Sequence, residues 1–207
     1  MLSPGGILNI KLISLMSAAG IAILFLHLDQ TSWAAVIYCP ATTAVCNGTT
    51  GDDTIFAITA NLVIHGLGGN DNIFGYGYGH NYIFGDDGND MLIGGTLSDG
   101  LYGGRGDDKY DGLEGEDTIY EGAVPEGYII SNDVISGGLD DDFIVADGGA
   151  DIINGGPGND QIYPNSFHRD FSPDSVDCGS GTDHVHSFYS GDRDSVAFCE
   201  TISNADG

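Results

Sequence analysis

The segment GGRGDDKYDGLEGEDTIY, residues 103–120, consists of two nine-residue repeats placed end to end. Each repeat has glycine at its first and fourth positions, aspartate at the sixth and a large apolar residue at the eighth. The same spacing of eighth-position residues runs through much of the chain. It comprises Ile55, Ile64, Ile73, Ile83, Leu92, Leu101, Tyr110 and Ile119, then, after an insertion, Ile135, Ile144, Ile153 and Ile162.

Each repeat divides into a six-residue glycine-rich turn and a three-residue strand. Because side chains alternate along a strand, the eighth residue points inward and its two neighbours point outward. A strand this short cannot bury an apolar side chain alone, so the repeats have to coil and stack. The pattern predicts an all-β solenoid in which two repeats, 18 residues, make one full turn.

The composition excludes some partners and favours others. The chain has 31 acidic and 5 basic residues and a formal net charge of -26, yet 41 % of its residues are hydrophobic. An acidic disordered chain would contain far fewer large apolar residues, and the negative charge repels the phosphates of nucleic acids. Aspartate greatly outnumbers glutamate, and we expect small hard cations to balance this charge.

The pattern GGxGxDxUx resembles the calcium-binding nonapeptide of RTX-type, or hemolysin-type, repeat proteins. GGRGDDKYD and GGPGNDQIY, residues 103–111 and 155–163, match it at every fixed position, and the resemblance covers about residues 48–163. It implies a right-handed parallel β-roll with several calcium ions between successive turns. Aspartates and backbone carbonyl groups of the turns would hold the ions.

The candidate calcium ligands are the sixth-position aspartates and the turn residues that the resemblance adds. They are Gly48, Thr50, Gly51, Asp53, Gly66, Gly68, Gly69, Asp71, Gly85, Asp87, Gly88, Asp90, Asp99, Gly103, Arg105, Gly106, Asp108, Asp117, Asp133, Asp142, Asp151 and Asp160.

Alternate repeats share an edge of the coil, and the two edges differ. One edge has aspartate at the sixth position of four successive turns, from Asp53 to Asp108, which predicts three sites between turns. The other edge begins with Leu62 and Asn81, so we expect about one site there, between Asp99 and Asp117. Beyond the insertion, Asp133 is expected to pair with Asp151 and Asp142 with Asp160.

Stacked aspartates without metal repel one another. At one strand spacing, about 4.8 Å, two carboxylates repel by roughly 3 kcal/mol at an effective dielectric constant near 20. Several such pairs approach the whole stability of a domain, about 5 to 15 kcal/mol. We therefore expect the metal-free chain to be expanded and calcium binding to drive folding.

The ends of the chain indicate export. Residues 1–34 have a lysine before a short apolar stretch and end in Ser32-Trp33-Ala34, which predicts a cleaved signal peptide, with a retained membrane anchor as the alternative. Caps are expected at 35–47 and 164–207 around a roll at 48–163, and a loop at the insertion 121–132. Four cysteines allow three pairings, of which we favour Cys39 with Cys46 and Cys178 with Cys199, one pair at each end.

The sequence predicts a non-enzymatic protein, because the GxSxG and HExxH motifs are absent from it. A small secreted hydrolase is an unfavoured alternative. Aromatic residues recur at the outward ninth position, where they form either a stacked ladder or a face that binds a glycan or another surface protein. The two expected roles are a secreted calcium-stabilised module and an extracellular adhesin or matrix component. The aromatic residues are Phe56, Phe74, Phe84, Tyr102, Tyr120 and Tyr163.

Overall fold

The computed structural model describes most of the chain from residue 34 onward and separates it into two units, Met1–Gln30 and Thr31–Gly207. The described residues of the first unit form an antiparallel pair, β1 (Met16–Ser17) and β2 (Gly20–Ile21). Apart from these two strands and residue 34, the predicted signal peptide lies outside the described residues. The described ranges are 16–17, 20–21, 34–40, 44–58, 61–76, 78–122, 130–164, 172–188 and 194–204.

The second unit is built from two parallel nine-stranded sheets. The odd-numbered strands β3 to β19 form one sheet and the even-numbered strands β4 to β20 form the other, each in chain order. The strands are β3 (Val36–Cys39), β4 (Val45–Asn47), β5 (Thr54–Ala57), β6 (Val63–His65), β7 (Asn72–Phe74), β8 (Tyr82–Asp87), β9 (Met91–Gly95), β10 (Gly100–Arg105), β11 (Lys109–Glu114), β12 (Thr118–Tyr120), β13 (Val134–Leu139), β14 (Phe143–Val145), β15 (Ile152–Pro157), β16 (Gln161–Tyr163), β17 (Ser175–Ser180), β18 (His184–Phe188), β19 (Ser195–Ala197) and β20 (Thr201–Asn204). Because consecutive strands alternate between the sheets, the chain coils as a β-roll, and the predicted all-β solenoid is confirmed.

The core lies between the two sheets and consists of the eighth-position side chains. Strand partners are these same residues in neighbouring turns, for example Ile55 with Ile73 and Ile73 with Leu92. Their burial follows from the alternation of side chains along each short strand. Every eighth-position residue from Ile55 to Ile162 is 3 % exposed or less.

The insertion does not disturb the stacking of the strands. Strand β11 pairs with β13, so that Tyr110 lies beside Ile135 in the same register as in the earlier turns. The middle of the predicted loop, residues 123–129, lies outside the described residues. Its two ends enter the interior, since Glu121 is 0 % and Ser131 is 2 % exposed.

Both ends of the roll carry a disulfide. Cys39 is bonded to Cys46 and Cys178 to Cys199, which confirms the favoured pairing. The segments predicted as caps also contribute strands: β3 and β4 extend the two sheets at one end, and β17 to β20 extend them at the other. The sheets are therefore longer at both ends than the count of repeats indicated.

The outward aromatic residues stack along the roll. On the sheet of even-numbered strands, Tyr102 lies between Phe84 and Tyr120, with ring centroids 4.7 and 5.6 Å away. Phe56 lies similarly between Tyr38 and Phe74 on the other sheet. This is the ladder arrangement expected of parallel strands with equivalent outward residues. Among the described residues there is no helix long and apolar enough to cross a membrane.

Candidate metal sites

The sixth-position aspartates of one edge form a continuous hydrogen-bonded ladder, here the first ladder. In each turn, Oδ1 of the aspartate accepts the backbone N–H of the equivalent residue one turn earlier. Asp71 accepts from Asp53, and Asp90 accepts from Asp71, each at 2.7 Å. The first ladder comprises Asp53, Asp71, Asp90, Asp108, Asp133, Asp151, Asp174 and Asp194.

The opposite edge carries a second ladder with the same bonding. It begins where Leu62 donates its N–H to Oδ1 of Asn81 at 3.1 Å, and it ends where Asp183 donates to Oε2 of Glu200 at 2.8 Å. Leu62 contributes only its backbone, as its apolar side chain requires. The second ladder comprises Asn81, Asp99, Asp117, Asp142, Asp160, Asp183 and Glu200.

Within the described part of the chain, the second carboxylate oxygen of many ladder aspartates is buried without a hydrogen-bond partner. A buried carboxylate oxygen with no partner is costly, and such atoms are rare in folded proteins. Cations bound between successive turns would satisfy these oxygens, and oxygen is the ligand that calcium takes. The Oδ2 atoms concerned include those of Asp71, Asp90, Asp99, Asp117, Asp142, Asp160 and Asp183.

Glycine at the first position of a repeat keeps the space beside these oxygens open. A Cβ added at Gly85 would meet Oδ2 of Asp90 in the same repeat, and the same holds for Gly155 and Asp160. Any larger residue would therefore occupy the space in front of the carboxylate. The glycines of the motif thus preserve a cradle that fits a bound cation.

Burial changes the acid strength of the ladder carboxyl groups. The pKa of Asp90 is raised from 3.8 to about 8, first because burial disfavours the charged form and then because Asp108 and Asp71 are negatively charged. The hydrogen bond from the Asp71 N–H opposes this rise. Burial likewise raises the pKa of Asp117 to about 8 and that of Asp142 to about 7. At neutral pH these groups therefore need a positive partner to remain ionised inside the roll.

Some members of the ladders obtain their hydrogen bonds from the protein itself, as Oδ2 of Asp133 does from the hydroxyl of Ser131 at 3.5 Å. Oδ2 of Asp53 accepts the N–H of Thr49 at 2.6 Å, and Oδ2 of Asp108 accepts the hydroxyl of Tyr110 at 3.4 Å. Asn81 has an amide nitrogen in place of the second oxygen, and it donates to the carbonyl oxygens of Gly75 and Gly79 at 3.2 and 3.1 Å. Among the described residues, carboxylate oxygens without a partner are at least as frequent in the second ladder as in the first. The sequence, in contrast, predicted more calcium sites on the first edge.

The predicted turn residues stack on one another along the first edge. Gly69, Gly88 and Gly106 have φ angles of 103°, 145° and 123°, a region that other residues rarely adopt. The carbonyl oxygens of Asp87 and Arg105 accept backbone N–H groups of the preceding turn, at 3.0 and 2.8 Å.

The remaining turn residues, among them Thr50 and Gly51, lie in the described turns of the same edge. Ligation of calcium by these individual turn residues remains a prediction.

A further acidic centre includes a residue that the repeat pattern did not single out. Oxygens of Glu121, Asp133 and Asp151, all buried, lie within 4.8 Å of one another. Glu121 accepts the hydroxyl of Ser131 at 2.8 Å and the N–H of Asp147 at 2.6 Å. Burial and then the charge of Glu121 raise the pKa of Asp133 to about 10. The sequence does contain an indication of this centre. Glu121 directly follows Tyr120 and so occupies the first position of the next repeat, where the earlier repeats of this edge have glycine: Gly48, Gly66, Gly85 and Gly103.

A parallel β-roll lined by paired carboxylates is the architecture of a calcium-binding repeat protein. The family model for the RTX calcium-binding nonapeptide repeat matches four times, at residues 47–77, 65–101, 84–119 and 130–162, and together these matches cover more than half of the chain. The chain belongs to this family, and calcium is the metal that its repeats bind. It matches no curated protein and no solved structure.

Proposed function

We propose that this protein is a secreted, non-enzymatic calcium-binding module that folds when it binds calcium through its two ladders. The observation that carries the proposal is the row of buried carboxylate oxygens without hydrogen-bond partners. These oxygens recur one turn apart along both edges of the roll. A bound divalent cation between turns supplies positive charge to two carboxylates at once.

The proposed ligands on the first ladder are Asp71 and Asp90, followed by Asp133 and Asp151 beyond the insertion. On the second ladder they are Asp99, Asp117, Asp142 and Asp160. Each of these aspartates is at most 4 % exposed, so the protein shields the ion from water. Carbonyl groups of the glycine turns would complete the six to eight oxygens that calcium takes.

The electrostatics of the two ladders make folding depend on the cation. Each added turn brings another carboxylate beside the previous one in a buried environment, and the net charge of the chain is already -26. The five basic residues are too few to balance this charge. Coupling of metal binding to folding is the expected result when a site does not exist in the unfolded chain.

An extracellular location supplies both conditions that the fold requires. Disulfides persist in oxidising compartments, and each end of the roll carries one. Extracellular calcium modules bind at about 10⁻⁴ to 10⁻³ M, close to the calcium concentration outside cells. The apolar segment predicted as a signal peptide would direct the chain there.

The experiment is a calcium titration of the full chain followed by circular dichroism and small-angle X-ray scattering. In chelator at pH 9, where the ladder carboxyl groups are ionised, we expect an expanded chain with little β-structure, and calcium should restore a compact β-rich protein in one cooperative transition. Magnesium is the control, because it requires stricter octahedral geometry and gives up its water reluctantly. A compact β-rich protein in chelator at pH 9 would disprove calcium-dependent folding.

A further inference from the structure

A cavity of about 310 Å³ lies on the outer face of the sheet of even-numbered strands, away from the interior of the roll. Its floor is Gly100, the first residue of β10, which occupies an outward seventh position. Tyr82, at the equivalent position one turn earlier, stands at one side, and Thr118, one turn later, stands at the other. A glycine thus interrupts a column of larger side chains at this place.

Two tyrosine rings converge over this glycine. A Cβ added at Gly100 would lie 2.8 Å from Cδ1 of Tyr82 and 3.1 Å from Cε2 of Tyr102. Tyr102 is held in the aromatic ladder, nearly parallel to its neighbours, with interplanar angles of 12° and 5°. Tyr82 is 53 % exposed. Phe84 and Tyr120 cover both faces of Tyr102, so this residue presents only its ring edge, and Tyr82 is the aromatic ring accessible to a ligand.

The rim of the cavity is polar and comes from the turns. Nδ1 of His80 donates to the carbonyl oxygen of Ser98 at 2.7 Å. Glu116 adds an exposed carboxylate, and Thr118 and Ser98 add hydroxyl groups. A small site with aromatic walls and a few fixed polar groups is the usual form of a ligand pocket.

We propose that this cavity binds a neutral saccharide, with one pyranose ring packed on the ring of Tyr82. A pyranose has an apolar face of C–H groups that packs on an aromatic ring, and its hydroxyl groups can both donate and accept hydrogen bonds at the rim. The net charge of -26 and the carboxylate of Glu116 repel acidic sugars. A purely apolar ligand would leave the polar rim without partners.

This inference goes beyond calcium binding, because its ligand packs on Tyr82 at an outward position. Asn81 and Asp99 of the second ladder also line the cavity, so the two kinds of site are neighbours. The expected adhesin or matrix role would then act through this one cavity, while the other aromatic residues of the outer face serve in ladder stacking.

The test uses the full, calcium-saturated chain and nuclear magnetic resonance titration with neutral methyl glycosides and neutral oligosaccharides. A uronic acid and tetramethylammonium serve as acidic and cationic comparison ligands. We expect saturable binding of a neutral saccharide in the millimolar range or tighter, with shifts at Tyr82 and Tyr102. Absence of saccharide binding, or tighter binding of either comparison ligand, would overturn the proposal.

Two variants locate the site. Tyr82→Ala removes the accessible aromatic ring, and Gly100→Ala places a methyl group against that ring and displaces it, so each should weaken saccharide binding at least tenfold. Gln161→Ala is the matched control, since Gln161 occupies an exposed seventh position of the same sheet four turns from Tyr82. Circular dichroism in calcium verifies that each variant is folded. Equal weakening by the control, or unchanged binding in both site variants, would contradict the assignment.

Discussion

Asp90 and Asn81 occupy the sixth position of successive repeats, on opposite edges of the roll. They differ in how the second polar atom of the side chain finds a hydrogen-bond partner. Both side chains are buried, and the Oδ1 atom of each accepts a backbone N–H within its ladder. Asp90 keeps one oxygen without a partner, whereas the amide nitrogen of Asn81 donates to two carbonyl oxygens. The two side chains have nearly the same shape, so the comparison isolates charge. An amide closes the turn by itself, and a carboxylate requires a cation or a proton.

The proton is the first way to test this comparison, and it should have the largest effect. Ladder carboxyl groups such as Asp90 and Asp117 have a folded-state pKa near 8 against 3.8 in the unfolded chain, because burial disfavours the charged form. Their protonated forms therefore favour the folded state. In chelator, stability should be greatest below about pH 4 and be lost as pH rises through 7 to 8.

Circular dichroism of the chelated protein between pH 4 and 9 measures this dependence. With saturating calcium the direction should reverse, because calcium binds the ionised carboxylates and acid displaces it. A metal-free protein that gains β-structure as the pH is raised would contradict the burial of unpaired carboxylates.

Replacement of Asp90 should have the next largest effect. Asp90→Ala removes both the metal ligand and the acceptor of the Asp71 N–H. We therefore expect fewer bound calcium ions, and a free energy of unfolding that is lower by about 1 to 3 kcal/mol when measured with calcium present. Asp90→Asn keeps the acceptor and should lose the calcium without most of this cost. Asp99→Ala is the corresponding change on the second ladder. Isothermal titration calorimetry and thermal unfolding distinguish the outcomes, and equal stability of the Ala and Asn variants would refute the role of the ladder bond.

The glycine cradle provides a smaller test. Gly85→Ala places a methyl group against Oδ2 of Asp90 and 2.6 Å from the carbonyl oxygen of Gly103, so calcium affinity and stability should both fall, the latter by about 1 to 3 kcal/mol. Gly68→Ala is the control, because its added Cβ would meet the nearest atom at 3.6 Å, an ordinary contact. Calcium-dependent thermal unfolding compares them. Similar behaviour of the two variants would show that the cradle is unimportant.

Conversion of Asn81 to aspartate is the finest test, because it changes one atom of the side chain. Asn81→Asp removes the two donated hydrogen bonds and should increase the number of bound calcium ions by one. In chelator, without calcium, this variant should be less stable than the original protein. Asn89→Asp carries the same charge change at an exposed position and should leave the stoichiometry unchanged. Calorimetric stoichiometry is the measurement. An unchanged number of ions in Asn81→Asp would mean that charge alone does not create a site.

Much of the site could be predicted wherever the nine-residue spacing holds. The ladder from Asp53 to Asp108 follows directly from it, since equivalent residues 18 or 19 apart become neighbours in the stack. The same logic fails at Asp174 and Glu200, which lie 23 and 17 residues from their partners Asp151 and Asp183. The turns that precede these residues differ in length from the repeat, so a fixed nine-residue period does not predict which residues become neighbours. Glu121 was also missed, because it replaces a glycine and not an aspartate.

The amino-acid sequence by itself determined the β-roll, the inward isoleucine and leucine core and the calcium chemistry. A period of nine with apolar and acidic residues at fixed positions is compatible with one way of stacking short strands. Only the tertiary structure decided how far the ladders extend, which carboxylate oxygens keep no protein partner, and that the ends of the insertion turn inward. These features depend on backbone hydrogen bonds between turns, which align strands by position in space whatever the number of residues between them.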